Sequence, residues 1–196
     1  MTNVLTAPLT RADLLSLEAY ASARNEFRSR AIEHKRKRSV AVGAHMTLLF
    51  EDRLTVQYQI QEMLRIERIF EPAAIQEELN TYNPLISDAL NLKATLLIEF
   101  PDADQRARML AAWRGIEHRV YLQAGANAKV FAHADEDLER SNESKTAAVH
   151  FLRFPIDERL SPARAGSAAL RLGVDDPRYP ECLEIPEHQA QLLLSA

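Results

Sequence analysis

Helix-forming periodicity comes first in this chain of 196 residues and hairpin-forming alternation mostly later, with no regular strand-helix-strand rhythm between them. A doubly wound nucleotide fold needs that rhythm. Its absence points to a single α+β domain with N-terminal helices, a mostly antiparallel sheet built from hairpins, and a short C-terminal helix. Residues 9–196 read as that domain, preceded by a flexible stretch over 1–8. Thr10 followed by Asp13 has the form of a capping box, and Leu14, Leu17 and Ala21 then recur at helical spacing. The first helix is therefore expected from Thr10, broken near Asn25, resuming through Phe27 and Ile32 and ending in the basic run His34 to Arg38. Val40 and Val42, a turn at Gly43, and Met46 to Glu51 read as a hairpin.

The stretch Asp52 to Phe70, DRLTVQYQIQEMLRIERIF, is the best helix in the chain, capped by Asp52 or Thr55 and stopped by Glu71-Pro72. At about 100° per residue, Val56, Ile60, Met63, Ile66 and Phe70 form one apolar arc. Gln57, Gln61, Arg65 and Arg68 form the opposite stripe, extended by Tyr58 and Glu62. Glu67 falls between Val56 and Ile60, on the apolar side. A carboxylate withheld from water there must be paired, protonated or functional. An ion pair with Arg153 or Arg53 is one expectation, and a base or ligand in a pocket is the other.

Pro72 starts a shorter helix to about Asn80, and Thr81 to Asn91 reads as loop. Lys93 to Phe100 reads as a largely buried strand, Asp102 as the cap of a helix running to Gly115, and Val120–Gln123 with Lys129–Ala132 as a second hairpin. A short acidic helix is expected from Asp135, then a central strand over Ala147–Phe154. The proline-rich tail reads as short pieces before a final helix, Glu187 to Ser195.

Composition removes whole classes of function. A net charge of −4 argues against general attraction to nucleic acid or acidic lipid. One cysteine, Cys182, excludes an internal disulfide, and together with an amino terminus lacking a secretory pattern it implies a cytoplasmic address. The longest apolar runs fall far below the ~20 residues that span a bilayer. Five glycines, at 43, 115, 125, 166 and 173, form neither a dinucleotide-binding nor a phosphate-binding loop, so no cofactor is predicted. G-x-S-x-G, H-E-x-x-H, C-x-x-C and E-x-x-H are absent as well. A metal site would have to be assembled in space from His45, His150 and a carboxylate, and none is predicted.

What remains is a set of polar candidates. Gln57, Tyr58, Gln61, Arg65 and Arg68, with Arg153, would suit a small anionic ligand if the stripe lined a cleft. An enzyme would use Glu67 or Glu62 as base, Arg65, Arg68 or Arg153 as anion clamp, and His45 or His150 as proton carrier. His150 and Arg153 lie on opposite faces of their strand, and His150 reads as a satisfied core histidine. Between Arg24 and Arg38, seven basic side chains stand against two acidic ones. That run reads as a solvated helix end, and nucleic-acid contact through 28–38 is disfavoured because no aromatic residues are interleaved for stacking.

The segment His34 to Ile86, with its FEDR-x-TV-x-YQIQEMLRIERI core, followed by LKATLLIEF, DEDLER, KTAAVHFLRF and GVDDPRY, resembles the bacterial family catalogued as domain of unknown function 3501. The resemblance runs over nearly the whole chain from Leu9. Members are typically encoded near rubrerythrin-like proteins and iron-sulfur oxidoreductases, which implies a soluble accessory protein with such a partner in redox or peroxide stress. The family brings no established catalytic residues to carry over.

Overall fold

A computed structural model describes residues 6–134, 136 and 145–195. The stretch 1–5 and most of the acidic helix expected from Asp135 lie outside the described residues. Thr10 and Asp13 do exchange capping hydrogen bonds, but around a single 3-10 turn, Arg11–Asp13, after which Leu14 is extended. The first helix, α1 (Leu17–Arg38), starts later, with Ser16 Oγ accepting from Ala19 N at 3.2 Å. The break expected at Asn25 does not occur. Flanking that position, Arg24 binds Glu62 of the next helix and Tyr20 and Phe27 are buried, so tertiary contacts override weak local propensity.

The strands β1 (Ser39–Val42) and β2 (Met46–Phe50) form the expected hairpin. Gly43 has φ +61, and a Cβ there would lie 2.4 Å from the Tyr179 hydroxyl, so only glycine fits. Asp52 caps α2 (Arg53–Glu67) by accepting from Leu54 N and Thr55 N. That helix ends where Arg68 turns left-handed, φ 56, and the N–H groups of Arg68 and Ile69 both reach Leu64 O. Pro72 opens α3 (Pro72–Tyr82). Then come β3 (Asn91–Ile98), α4 (Ala103–Ala112), β4 (Val120–Ala124), β5 (Val130–Phe131), β6 (His133–Ala134), β7 (Val149–Pro155), α5 (Ser161–Arg164), β8 (Leu170–Val174), β9 (Cys182–Ile185) and α6 (Glu187–Leu194).

These strands make two antiparallel sheets, a five-stranded one in the order β1-β2-β3-β7-β6 and a four-stranded one in the order β5-β4-β8-β9. The α+β class and the central place of β7 follow the sequence reading. The tail departs from it, because two of its short pieces, β8 and β9, are strands that complete the second sheet. Inward residues of both sheets, among them Leu48, Leu96, Phe154, Leu122 and Leu172, share one core with α4, α5 and α6. A second, smaller core is separate from it and joins the N-terminal segment to α2 and α3 through Leu9, Leu14, Val56, Ile60, Leu64 and Ile75. No helix among the described residues is long and apolar enough to cross a membrane.

Candidate functional site: a trough between the two cores

Alternation along β3 sends Leu92, Ala94, Leu96 and Ile98 into the main core and leaves Lys93, Thr95 and Leu97 half-buried on the other face. The antiparallel register then builds rows across that outer face: Leu49, Thr95 and Phe151 in one, Thr47, Leu97 and Val149 in the next, and Lys93, Arg153 and His133 at the end. Val56 of α2, Tyr82 of α3 and Leu85 just beyond it come over these rows without closing on them. Two adjoining cavities of about 440 and 270 Å³ result, both lined by Glu51, Leu85 and Phe151. Together they form one trough, and Glu51 stands where its halves meet.

Glu51 continues the outward row of β2 by one residue, directly before the cap of α2. It is only 8% exposed. Its Oε2 accepts from Thr55 Oγ1 at 2.5 Å and its Oε1 from Thr95 Oγ1 at 2.6 Å. Its own N–H donates to Lys93 O at 2.8 Å, and its carbonyl accepts from Ser87 Oγ at 2.6 Å. It makes no ion pair among the described residues. Burial pushes its carboxyl above the usual range, and the two threonine hydroxyls and the charge of Lys35 only partly offset this. At the far end of the trough, Arg153 holds Glu136 through Nε and Nη2 at 2.7 and 2.8 Å and donates from Nη1 to Asn91 Oδ1. Lys93 Nζ lies 3.6 Å from Asp88 Oδ2.

The residue on which the sequence reading leaned, Glu67, is exposed in the last turn of α2. Neither expected ion pair forms, since Arg153 binds Glu136 and Arg53 binds Asp13 Oδ1 at 2.7 Å. Ile66 and Phe70 are 60% and 68% exposed, so the apolar arc drawn through them is not the buried face. That face is Val56, Ile60 and Leu64 together with Gln61, which is fully buried. Gln61 Oε1 accepts from Leu15 N at 2.6 Å, and Gln57 Nε2 donates to Asp13 O at 2.6 Å. The two glutamines of the stripe bind the N-terminal backbone, and neither lines the trough.

The remaining candidates are dispersed. Glu62 Oε1 accepts from Tyr20 Oη at 2.7 Å and Arg24 Nε at 2.8 Å, and its Oε2 accepts from Arg24 Nη2 at 2.9 Å and Arg65 Nη2 at 3.2 Å. The Arg24 guanidinium chiefly holds its carboxyl down at about 2, which makes it a poor base. Tyr58 stacks on Phe27, and Arg68 is exposed. His45 stacks on Phe100 with centroids 4.1 Å apart, beside Trp113 and Tyr179. His150 is buried in the main core, its Nε2 2.8 Å from Thr146 Oγ1, which donates to Glu117 Oε2. Among the described residues no three His, Cys, Asp or Glu side chains gather as a metal site would require.

The basic run is not a solvated end throughout. Arg38 is 3% exposed, donates to Phe50 O at 2.8 Å and lies 3.4 Å from Asp52 Oδ2, which also meets His34 Nε2. The end of α1 thus clamps the cap of α2, and Lys35 lines the trough.

Residues 8–196 match the model of a family described as "Protein of unknown function (DUF3501)". The chain belongs to that family. It is also similar to a solved structure described as a novel protein of unknown function from Burkholderia pseudomallei K96243, with 49% identity over 96% of this chain and 98% of that one and a TM-score of 0.90. No curated protein matches. The family therefore fixes the fold to which the trough belongs and assigns it no activity.

Proposed function

We propose that the protein is an accessory binding protein whose site is the trough on the outer face of the five-stranded sheet. The observation that carries this reading is Glu51, a buried carboxylate without an ionic partner among the described residues, set among half-buried apolar side chains. Holding such a group costs stability unless something that binds repays it. The candidate bases and proton carriers do not converge, so the geometry favours binding over a self-contained hydrolase or transferase. In this reading the protein is cytoplasmic, carries no cofactor of its own, and works with a rubrerythrin-like or iron-sulfur oxidoreductase partner under redox or peroxide stress. The partner half of the reading rests on the gene neighbourhood that the family resemblance implies.

The test is to titrate the purified protein with a rubrerythrin-like protein and an iron-sulfur oxidoreductase from the same organism, by interferometry, with and without Val149→Trp. Val149 is 41% exposed, so a larger side chain there narrows the trough without overpacking the core. Association that weakens about tenfold or more in the variant is expected. No association with either protein refutes the partner assignment.

A further inference from the structure

Three features could carry more than the reading above: the apolar corner of Ile66 and Phe70, the Cys182–Tyr121 contact on the second sheet, and the charge pattern of the trough. Nothing shows what would cover the first, and a lone thiol beside a phenol does not define a ligand. The third goes further, because the acids around the trough pair with cations and leave one, Glu51, over among the described residues.

Arg153 faces Glu136, Lys93 faces Asp88, and Asp52 faces His34 and Arg38. Lys35 lies over the Tyr58 ring, 5.3 Å from its centroid. Glu51 alone meets only hydroxyls. Each of its oxygens accepts one hydrogen bond, so each keeps a lone pair for another donor. An anionic ligand, the expectation from the sequence, would find Lys35 as the one lining cation without a carboxylate among the described residues, would have to take Arg153 or Lys93 from theirs for any second contact, and would approach Glu51 with like charge. A cationic head with several N–H donors meets neither obstacle. From Glu51 the smaller cavity continues along Leu49, Leu97, Val149 and Phe151, a surface for a slender apolar chain.

Resting on the trough reading, we infer that the ligand is an apolar chain ending in a cationic nitrogen head, a primary ammonium in its simplest form, with the head on Glu51 and the chain along Leu97 and Phe151. Binding an ammonium favours the ionised carboxylate, so a proton held by Glu51 is released as the ligand enters. Affinity therefore rises with pH above the ordinary carboxylate range until the amine itself deprotonates, at about 10. The groups facing Glu51 are Lys35 from α1, Thr55 and the cap Asp52 of α2, Arg38 behind that cap, and Lys93 and Thr95 from β3. His34 meets Asp52 and His133 lines the larger cavity, and the Glu51 variant separates their contribution from that of Glu51.

Octylammonium, octanoate and octanol, added to the ¹⁵N-labelled full chain and followed by amide shifts, test the inference at several pH values. The expected result is octylammonium shifting the amides of Thr95, Leu97 and Phe151 and binding about tenfold or more tighter than octanoate. Glu51→Gln should remove that preference and its pH dependence, and an amide spectrum as dispersed as the wild type's shows that the variant is folded. Val149→Trp should weaken all three. Octanoate binding as tightly as octylammonium overturns the cationic head and leaves the trough reading standing. If none of the three shifts a trough amide, the trough reading itself falls.

Discussion

Replacing Glu62 by glutamine removes one charge from the junction of α1 and α2 while keeping the shape of the side chain and an oxygen for Tyr20. The folded carboxyl titrates at about 2 against an ordinary 4.5, the largest cause being its two hydrogen bonds from Arg24. At 1.36 kcal/mol per pH unit this difference corresponds to roughly 3 kcal/mol. Arg24 and Arg65 are 30% and 38% exposed, so solvent screening brings the expected loss in Glu62→Gln to about 2 kcal/mol at pH 7. The sign follows from linkage: a carboxyl depressed by folding contributes its full stability above the unfolded value and loses it as pH falls toward the folded one. The gap between wild type and variant should thus be full near pH 7, less than half of that at about pH 3, and close to nothing below pH 2. Urea denaturation across this range measures it, and a double cycle with Arg24→Met should return most of the pH 7 loss as coupling. A gap of the same size at pH 7 and pH 3 would mean that the cost comes from packing, and the electrostatic account would be wrong.

Glu51→Gln should act in the opposite sense. Burial raises the folded carboxyl, so above the ordinary value the folded state holds more proton than the unfolded one, and the wild type loses stability as pH rises, by at most about 1.4 kcal/mol per pH unit. Melting curves from pH 4 to 8 should show the variant gaining on the wild type as pH increases, and parallel curves would refute burial as the cause. Gln61→Leu keeps the volume but leaves the Leu15 N–H and carbonyl without their amide, for a loss of about 1–3 kcal/mol and faster hydrogen exchange at Leu15. Unchanged exchange there would show that the N-terminal segment is held by other contacts.

The fold was legible wherever one residue carried a local instruction. Asp52 and Asp102 cap their helices, Pro72 opens α3, and Gly43 turns the first hairpin, each within a residue or two of its expected place. Failures came where the deciding partner is distant in sequence. No short window shows that Arg24 will find Glu62 and carry α1 through Asn25, or that Leu170–Val174 will pair with β4 across fifty residues of chain. Gly173 disguises β8 further, although a Cβ there would lie 2.6 Å from the Tyr121 hydroxyl, which is why the strand needs it.

The sequence places Glu67 inside and the amide stripe outside for a related reason, and the structure reverses both. A helical wheel ranks residues by polarity, but Gln57 and Gln61 are polar to water and well suited to a buried backbone, so a face that looked solvated is the one that binds residues 13–15. The wheel also ran on to Phe70, past the left-handed turn at Arg68, and so drew Ile66 and Glu67 inward. A usable signal for Glu51 lay in MTLLFE, where alternation places Thr47, Leu49 and Glu51 on one face of β2. A carboxylate on a strand's half-buried row, just before a helix cap, is a stronger anomaly than one in the last turn of an amphipathic helix.

The trough itself follows from how the helical layer is attached. Asn83 exchanges hydrogen bonds with both backbone groups of Leu9, Gln57 and Gln61 fasten residues 13–15, and His34 and Arg38 meet the cap at Asp52. These ties hold α2 and α3 at their edges and to the N-terminal segment, and the apolar stripe of α2 is spent on its own small core. The layer therefore need not settle onto the sheet, and Leu49, Leu97, Val149 and Phe151 stay partly exposed. Each forgoes something like 1 kcal/mol of burial. A lone buried carboxylate in the same place adds to the deficit. Stability left unclaimed at a single locus, by apolar and polar groups together, is what supports the proposal of a surface held open for a ligand.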